Sequence, residues 1–343
     1  MKILFIGPDQ PPQSNAYYQY LTLKKNYKNV DFINGYKSFF LLSITIKIFH
    51  HISPKIFSFL INNYILSRIK DNYDLIYVKS GELIGKKLII KLKTKTKKIV
   101  FFCNDNPFVK RDKNKWKLFL GAAKYYDVIA YQDVSRIRLS KKIGLKNSLL
   151  VLPPYQKNVH CRQKLTNIEK KKYENDIVFI GTWSRKKGIF LKKLMDLGLR
   201  LKIYGGLWNK DTNYQSLKSI TKLGHIAGKN YSKLIQSAKI VLCLFAEENL
   251  DTVTARAIEI PAIGSLLCSF RTPTMKSIFI ENKEAIFFTN ATECVKKCNY
   301  YLKNQQIAKK IASKGNIKIT KSLKLSNDEL IKRIIHEAFL KNK

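Results

Sequence analysis

Short apolar runs alternate with longer amphipathic stretches along the whole of this 343-residue chain. Runs of four to eight apolar residues are typical of β-strands, and longer stretches with helical periodicity separate them. In the first half the strand candidates are 2–6, 74–78, 98–103, 127–131 and 148–152. Helical stretches such as 83–93 and 114–125 lie between them. This alternation predicts βαβ units and a parallel sheet.

The second half repeats the same alternation after a break. Pro153 and Pro154 end the first series, and the polar, charged segment 155–174 has no periodicity, so it is predicted as a linker. The strand candidates that follow are 176–180, 200–204, 239–245, 265–269 and 285–288. The candidate helices are 188–197, 230–237, 254–263, 292–302, 305–314 and 327–341.

Two such series predict an α/β protein with two Rossmann-like doubly wound domains that face each other across a cleft. The first domain is predicted at 1–154 and the second at 175–325, with the linker 155–174 between them. The terminal helix, 326–343, is expected to pack back on the first domain. Ligands of doubly wound sheets bind at the carboxyl ends of the strands, so we expect the functional residues to follow the strands directly.

The formal net charge is +40, which suggests an anionic partner. The charge is spread evenly, however: residues 1–170 carry +22 and the remainder carries +18. A lysine-rich coding bias explains this distribution, and it leaves an anionic membrane surface as the main alternative and nucleic acid as a remote one. The apolar segment 38–66 contains Lys47 and Lys55, and it is predicted either to dock on anionic lipid or to pack inside the first domain.

Further sequence features indicate the cellular location of the protein. The apolar run after Lys2 is too short for a signal peptide, and no uncharged stretch is long enough for a transmembrane helix. We therefore expect a cytoplasmic protein, either soluble or peripheral on the inner face of the membrane. Cys294 and Cys298 share one helix face, which we interpret as core packing. No metal site is predicted.

The stretch 244–270 contains the candidate binding and catalytic residues that are most informative about function. A strand ends near Phe245, and a helix is predicted to begin near Thr252 or Thr254, either of which can cap it. A helix N-terminus at the carboxyl end of a strand is a natural site for a pyrophosphate. Asp251 precedes this helix and Glu259 lies within it. One carboxylate can reach a donor sugar while the other binds a ribose; the alternatives are that Asp251 is a cap and that Glu259 pairs with a lysine.

The segment DTVTARAIEIPAIG at 251–264 resembles the C-terminal domain of group 1 glycosyltransferases of the GT-B type, in particular their spore-maturation-protein-like branch. The resemblance covers most of 176–315, including DIVFIGTW, IYGGLW and Tyr231, and it continues more loosely through CNDNPF and VLPP in the first half. It implies transfer of a sugar from a UDP- or GDP-type donor without any other cofactor. The spacing of Asp251 and Glu259 matches the acidic pair of the family.

The resemblance also places donor-binding roles on individual residues. It implies that Glu259 holds the ribose and that Asp251 and Thr252, with Thr254 nearby, face the sugar and phosphates. The diphosphate is expected to contact the turn GTWSRKKG. The remaining expected donor contacts are Gly181, Arg185, Lys187, Gly205, His225 and Arg256. Local alternatives remain for each: a surface lysine, a tight turn at Gly205, an incidental loop His225, or an Arg256 that pairs with Glu259.

In the first half, Asp105 directly follows an apolar strand, which suits a catalytic base or an acceptor contact. An Asx-turn explains the same residue. Lys79 with Glu82, and Asp9 with Gln10, follow strands in the same way. The sequence has no Asp-x-Asp motif, which favours a metal-independent enzyme, and the acidic pair favours retention of configuration.

The function predicted from the sequence is therefore glycosyl transfer from a nucleotide-diphosphate sugar. The acceptor is a glycan, a lipid-linked glycan or a protein. Three other functions stay open: a non-catalytic relative that only binds, a membrane-docked component of glycan assembly, and a nucleic-acid-binding protein.

Overall fold

The computed structural model describes residues 1–8, 14–38 and 43–340. Within these ranges the chain forms two separate six-stranded sheets, both parallel throughout, with helices between successive strands. This is the α/β architecture that the alternating pattern predicts. The predicted positions of Asp9 and Gln10 lie outside the described residues, as does part of the segment 38–66.

The first sheet has the strand order β2-β1-β3-β4-β5-β6. Its strands are β1 (Lys2–Gly7), β2 (Asn29–Asn34), β3 (Tyr73–Val78), β4 (Thr96–Cys103), β5 (Val128–Tyr131) and β6 (Ser148–Leu150). The helices that connect them are α1 (Asn15–Asn26), α2 (Ser43–His51), α3 (Ser58–Leu66), α4 (Lys86–Lys93), α5 (Lys117–Ala122) and α6 (Val134–Lys142).

The second sheet has the strand order β12-β11-β10-β7-β8-β9. Its strands are β7 (Asn175–Ile180), β8 (Lys202–Gly205), β9 (Thr221–Leu223), β10 (Ala238–Cys243), β11 (Leu266–Phe270) and β12 (Ile286–Phe288). The helices are α7 (Asn167–Tyr173), α8 (Arg185–Asp196), α9 (Tyr214–Leu217), α10 (Gly228–Ser237), α11 (Ala255–Ile263), α12 (Pro273–Ile278), α13 (Ala291–Lys303), α14 (Gln305–Ile317) and α15 (Asn327–Leu340).

The chain divides into two compact units. The N-terminal unit comprises 1–152, 247–251 and 327–343, and the C-terminal unit comprises 153–246 and 252–326. Helix α15 packs against β4, β5 and α1 of the N-terminal unit. Its buried face carries Leu330, Ile331, Ile334 and Ile335, a spacing that places all four on one side of a helix.

Two features differ from the sequence prediction. The segment 155–174 is part of the C-terminal unit and contains α7, because Thr166 and Glu169 form a capping box that starts a helix there. The edge strands β2 and β9 were not predicted. Both lie at the edge of a sheet and are largely exposed, so they lack the continuous apolar run of a buried strand.

Each sheet is covered by apolar side chains. One face of the N-terminal sheet packs under α2–α5, and the other packs under α1 and α15. One side of the segment around α3 is buried, because Phe57, Ile61 and Ile65 lie in the core between the sheet and α2–α5.

No helix of the described ranges combines the length and apolarity needed to cross a bilayer.

Candidate active site

The strand order of the C-terminal sheet marks one place for a ligand. From β7 the chain moves outwards through β8 and β9, and it then returns to β10 on the other side of β7. A doubly wound sheet opens a crevice where the strand order reverses, at the carboxyl ends of the two strands. Helix α8 begins after β7 and α11 begins after β10, so both helices start at this edge.

Two side-chain contacts lie at the start of α11. Thr254 is the N-cap residue, but its hydroxyl lies 3.4 Å from Cys243 Sγ at the end of β10 and makes no capping bond to the helix. Thr252 lies 2.8 Å from Thr274 between hydroxyl oxygens. The side chain at the N-cap position therefore does not cap the first-turn amides of α11. The positive end of the helix dipole, with the N–H groups of the first turn, favours an anion.

Two cations adjoin the same strand end. Burial raises the pKa of the Cys243 thiol, while the hydroxyl of Thr254 and the charges of Arg256 and Lys187 act in the opposite direction. Arg256 and Lys187 are therefore close to the carboxyl end of β10. The Arg256 Nε atom is buried without a hydrogen-bond partner among the described residues, so it is able to donate to a ligand. Arg185 is exposed at the first position of α8.

Glu259 lies in the middle of α11, with one oxygen bonded and one oxygen open. Tyr231 on α10 donates its hydroxyl hydrogen bond to Glu259 Oε2 at 2.7 Å. Glu259 Oε1 lies 3.9 Å from Nδ1 of His160, but that nitrogen already accepts a hydrogen bond from the backbone N–H of Gln156 at 3.1 Å. Burial lowers the pKa of His160. A neutral imidazole that accepts at Nδ1 cannot pair with Oε1.

Gly205 and Gly206, at the end of β8, differ in the space around their Cα atoms. Gly205 has φ +150°, and a Cβ there would lie 2.1 Å from the carbonyl oxygen of Gly181, so the two glycines permit β7 and β8 to pack together at their ends. The indole of Trp208 donates to that same carbonyl at 2.8 Å. Gly206 is different, because a Cβ would meet nothing within 4 Å. Gly205 is thus explained by backbone packing, whereas a side chain at Gly206 would point into open space.

His225 follows β9 at the same carboxyl edge. It is exposed and lines a cavity of about 150 Å³ together with Tyr204, Gly224 and Ile226. An aromatic ring, backbone groups and an aliphatic side chain form a surface on which a planar base can stack.

Asp251 lies in the N-terminal unit, whereas Thr252 and the rest of the motif lie in the C-terminal unit. Its Oδ1 accepts hydrogen bonds from Arg136 at 2.7 Å and from Asn249 at 2.6 Å. Arg136 is only 3% exposed. Asp251 is therefore half of a buried ion pair, not the helix cap. Asp251 lies before α11, whereas Glu259 lies within it.

A second polar group lies at the carboxyl edge of the N-terminal sheet. The strand order reverses between β1 and β3, and Lys79 follows β3 directly. Lys79 Nζ donates to the carbonyl oxygen of Phe102 at 3.3 Å and also to Asn104 Oδ1. Burial lowers the pKa of Lys79 to about 7. A cavity of about 190 Å³ opens here, and Lys79, Glu82 and Asp105 line it.

Asp105 in this cavity is paired with cations. Its Oδ1 accepts a hydrogen bond from Arg111 at 2.9 Å, and Lys115 Nζ lies 3.8 Å from Oδ2. Its side chain is 38% exposed, so a ligand can reach it. The two cations hold the carboxylate in position at the strand end. The exposure and the cationic contacts of Asp105 fit a ligand-binding or base role, as well as the Asx-turn considered from the sequence.

Three cysteines form a group that the sequence reveals only in part. The sulfur atoms of Cys268, Cys294 and Cys298 lie within 4.8 Å of one another and are buried in the core of the C-terminal unit. The helical spacing of Cys294 and Cys298 predicts their shared face, but nothing in the sequence predicts that Cys268 on β11 meets it. Three sulfur ligands alone do not complete a four-coordinate structural zinc site, and the described surroundings are apolar.

Several partners of the expected site residues were not predicted. Arg136, Tyr231 and His160 each hold or adjoin one of the two acidic residues, yet all three are distant from them in sequence. Tyr231 was part of the recognised motif series, but its role as a donor to Glu259 was not. The pairing of Tyr231 arises from the packing of α10 against α11, and all three pairings depend on tertiary packing that local sequence patterns do not show.

Residues 185–327, somewhat less than half of the chain, match the family model described as glycosyl transferase-like. No curated protein matches the chain. Among solved structures, HepE from Anabaena in complex with UDP-glucose has a TM-score of 0.69 at 13% identity and aligns over 100% of both chains. Sucrose-phosphate synthase from Thermosynechococcus elongatus has a TM-score of 0.73 at 11% identity, over 99% of this chain and 100% of that one.

A third structure is similar over the same length. An α,α-trehalose-phosphate synthase (UDP-forming) from Burkholderia xenovorans, in complex with glucose-6-phosphate, has a TM-score of 0.63 at 9% identity, over 98% of this chain and 100% of that one. The chain has the GT-B fold. The matched residues 185–327 begin at Arg185 and include α11 with Arg256 and Glu259. They therefore contain most of the carboxyl-edge site of the C-terminal unit.

Proposed function

We propose that the protein transfers a glycosyl group from a nucleotide-diphosphate sugar to a glycan, lipid-linked glycan or protein acceptor. The observation that carries the proposal is the start of α11, where an uncapped helix N-terminus meets Arg256 and Lys187 at the end of β10. A leaving diphosphate gains negative charge in the transition state, and preorganised donors stabilise that charge. The family match of residues 185–327 supports the same chemistry.

The donor is proposed to bind along the carboxyl edge of the C-terminal sheet. The diphosphate binds at α11 and the first turn of α8, with Arg185, Lys187 and Arg256 as its cations. Glu259 Oε1 accepts hydrogen bonds from the ribose hydroxyls, because Oε2 is already bonded to Tyr231. The base stacks in the small cavity beside His225. HepE is described in complex with UDP-glucose and the trehalose-phosphate synthase is described as UDP-forming, which favours UDP as the nucleotide.

The acceptor side is proposed to lie at the carboxyl edge of the N-terminal sheet. Lys79 and Asp105 line a cavity there, and Asp105 is proposed to act as a base or to bind an acceptor hydroxyl. The charge of Asp251, paired with Arg136, is proposed to act near the transferred sugar and to be positioned by that pair. Retention of configuration and independence from metal ions belong to this proposal.

A donor-hydrolysis assay tests the function directly. The purified protein is incubated with UDP- and GDP-sugars, and the released nucleotide is measured with and without EDTA. We expect release from one donor class, and the variant Arg256→Met should lose most of it. The control is Arg200→Met, which removes an exposed cation of the same type after α8. Donor binding without turnover by any acceptor mixture would instead support the non-catalytic alternative.

One exposed apolar surface supports binding of the protein to a membrane. One part of the segment 38–66, from the end of α2 into the first turn of α3, carries an apolar ridge. Its side chains are Ile52, Ile56, Phe59 and Leu60, which are 60%, 60%, 70% and 51% exposed. Four large exposed apolar side chains so close in sequence are typical of an interaction surface. Lys47 and Lys55 on the same segment are exposed. We propose that this ridge inserts into the surface of an anionic bilayer at the inner face of the membrane.

Vesicle sedimentation tests the ridge. Binding to vesicles that contain phosphatidylglycerol is expected, with weaker binding to phosphatidylcholine alone, because basic residues near the surface add electrostatic attraction. Phe59→Asp should abolish most of it. Ile143→Asp is the matched control, since Ile143 is 55% exposed in the same unit but outside the ridge. Equal binding by both variants would show that diffuse charge, not the ridge, attracts the protein.

A further inference from the structure

The C-terminal unit has a second recess, at the edge of its sheet opposite to Gly181 and the start of α11. The recess is a cavity of about 690 Å³, bounded by the first residues of β10 and β11 and by one face of α14. We call it the basal cavity. Its volume lies within the range of small-molecule pockets. The proposed donor and acceptor sites do not use it.

Cationic side chains from separate parts of the chain line the basal cavity. Lys157 and Arg162 come from the segment before α7, Lys239 from β10 and Lys309 from α14. None of the described lining residues is aspartate or glutamate. Lys239 also pairs at 2.6 Å with Asp176, which lies outside the lining. Charges of one sign around a concave surface concentrate anions there.

The helix that ends at the cavity would oppose an anion, but its carbonyl groups are already bonded. Helix α11 ends at Ile263, and the negative end of its dipole points towards this edge. The Asn316 amide donates to the carbonyl oxygens of Pro261 and Ala262 at 2.9 and 2.7 Å. Arg162 donates to the carbonyl oxygen of Gly264 at 3.1 Å. The exposed negative charge of the helix end is therefore largely compensated.

We propose that the basal cavity binds a small phosphorylated metabolite. Phosphate groups match it because they carry multiple negative charges and accept several hydrogen bonds from lysine and arginine. Ser237, Ser313 and Thr320 add hydroxyl groups to the lining for the rest of the ligand. The α11 helix spans about 13 Å between the two edges of the sheet. A ligand in the cavity is therefore bound at the same time as a donor and does not compete with it.

Pyrophosphate is the probe, and the experiment separates the basal cavity from the donor site. Calorimetric titration into protein saturated with UDP leaves the basal cavity as the available site, and we expect one binding event. Lys309→Gln should weaken that event by roughly tenfold, which corresponds to about 1.4 kcal/mol. Lys310→Gln is the matched control, because it removes the same charge from an exposed neighbour on α14 that does not line the cavity.

Two results would overturn the proposal. One is no pyrophosphate binding to the UDP-saturated protein, and the other is an equal loss in the Lys309 and Lys310 variants, which would indicate diffuse attraction to a basic surface. The proposal does not depend on the proposed function. If UDP does not bind, the same variant pair titrated without UDP still reports on the cavity, and the loss of UDP binding counts only against the glycosyltransferase function.

Discussion

Tyr231 donates a hydrogen bond to Glu259, with 2.7 Å between the hydroxyl oxygen and Oε2. This bond fixes the carboxylate on α11 and leaves Oε1 for a ligand. Burial, followed by the charge of Glu259, raises the pKa of Tyr231 well above its usual value, so the hydroxyl stays protonated and remains a donor at neutral pH. Tyr231 therefore orients the Glu259 carboxylate for the proposed contact with the ribose.

Replacement of Glu259 tests that contact. Glu259→Gln should weaken donor binding by about 1–3 kcal/mol, because an amide offers only one acceptor oxygen and cannot accept from both Tyr231 and the ribose. Titration of the cognate donor measures the loss. Glu174→Gln, an exposed glutamate after α7, is the matched control. Binding as tight as that of the wild type would remove Glu259 from the donor site.

Tyr231→Phe separates positioning from contact. The variant keeps both Glu259 oxygens but frees the carboxylate to rotate, so we expect a smaller loss of donor affinity than in Glu259→Gln. The double variant should lose little more than Glu259→Gln alone, since both changes act on the same carboxylate. Additive losses in this cycle would mean that Tyr231 acts independently of Glu259.

The ion pair between Asp251 and Arg136 makes a prediction about stability as well as turnover. Asp251→Asn leaves the buried guanidinium of Arg136 without its charge partner, and loss of one partner from a buried pair costs about 3–5 kcal/mol. We expect a clear fall in the thermal midpoint and, at a temperature where the variant is folded, a larger loss of turnover than of donor affinity. An unchanged midpoint would show that the pair is dispensable.

The lowered pKa of Lys79 predicts that the contribution of this residue to stability depends on pH. Its pKa is lowered to about 7 in the folded protein, below the ordinary lysine value, so the folded state binds fewer protons than the unfolded state above pH 7. Stability contributed by this group therefore rises with pH from about 7 towards the unfolded pKa. Lys79→Met should stabilise the protein more at pH 6 than at pH 9. Lys87→Met, an exposed lysine on α4, should show no such difference in thermal midpoint.

Adjacent glycines allow packing and ligand approach to be tested separately. Gly205→Ala should destabilise the C-terminal unit, because its Cβ would meet the Gly181 carbonyl at 2.1 Å and its φ is positive. Gly206→Ala should leave the thermal midpoint nearly unchanged, since its Cβ meets nothing within 4 Å. If a donor lies against Gly206, this variant should lose donor affinity. Full affinity in a stable Gly206→Ala protein would place the donor elsewhere.

The sequence predicted the buried parts of the fold better than its edges. Strands such as β1, β4 and β10 are continuous apolar runs, and their positions follow from that pattern. The strands β2 and β9 were missed because an exposed edge strand needs no such run. The helix α7 was missed although its capping box, Thr166 and Glu169, was visible in the sequence.

The candidate site was predictable where it follows strand ends in the chain. Glycines after strands and a polar helix start after β10 indicated Gly181, Thr254, Arg256 and Glu259 as candidates. In the structure Gly181 follows β7, Thr254 is the N-cap residue of α11, and the other two lie within α11. Their donor-binding roles stay a prediction. The partners that orient them come from other helices, so their pairing depends on tertiary packing. Gly205 was predicted as a ligand contact, but its conformation is explained by the carbonyl of Gly181.

The boundary between the two units falls between Asp251 and Thr252, two neighbours in the recognised motif. The short loop 247–251 is tied to the N-terminal unit through Asn106, which bonds the Asn249 side chain and carbonyl, and through Arg136. A hybrid enzyme made by exchanging C-terminal halves at the 152–153 junction would thus import a loop whose anchors belong to the discarded half. We therefore expect the loop to keep its conformation in such a hybrid only if Asn106 and Arg136 are transferred with it.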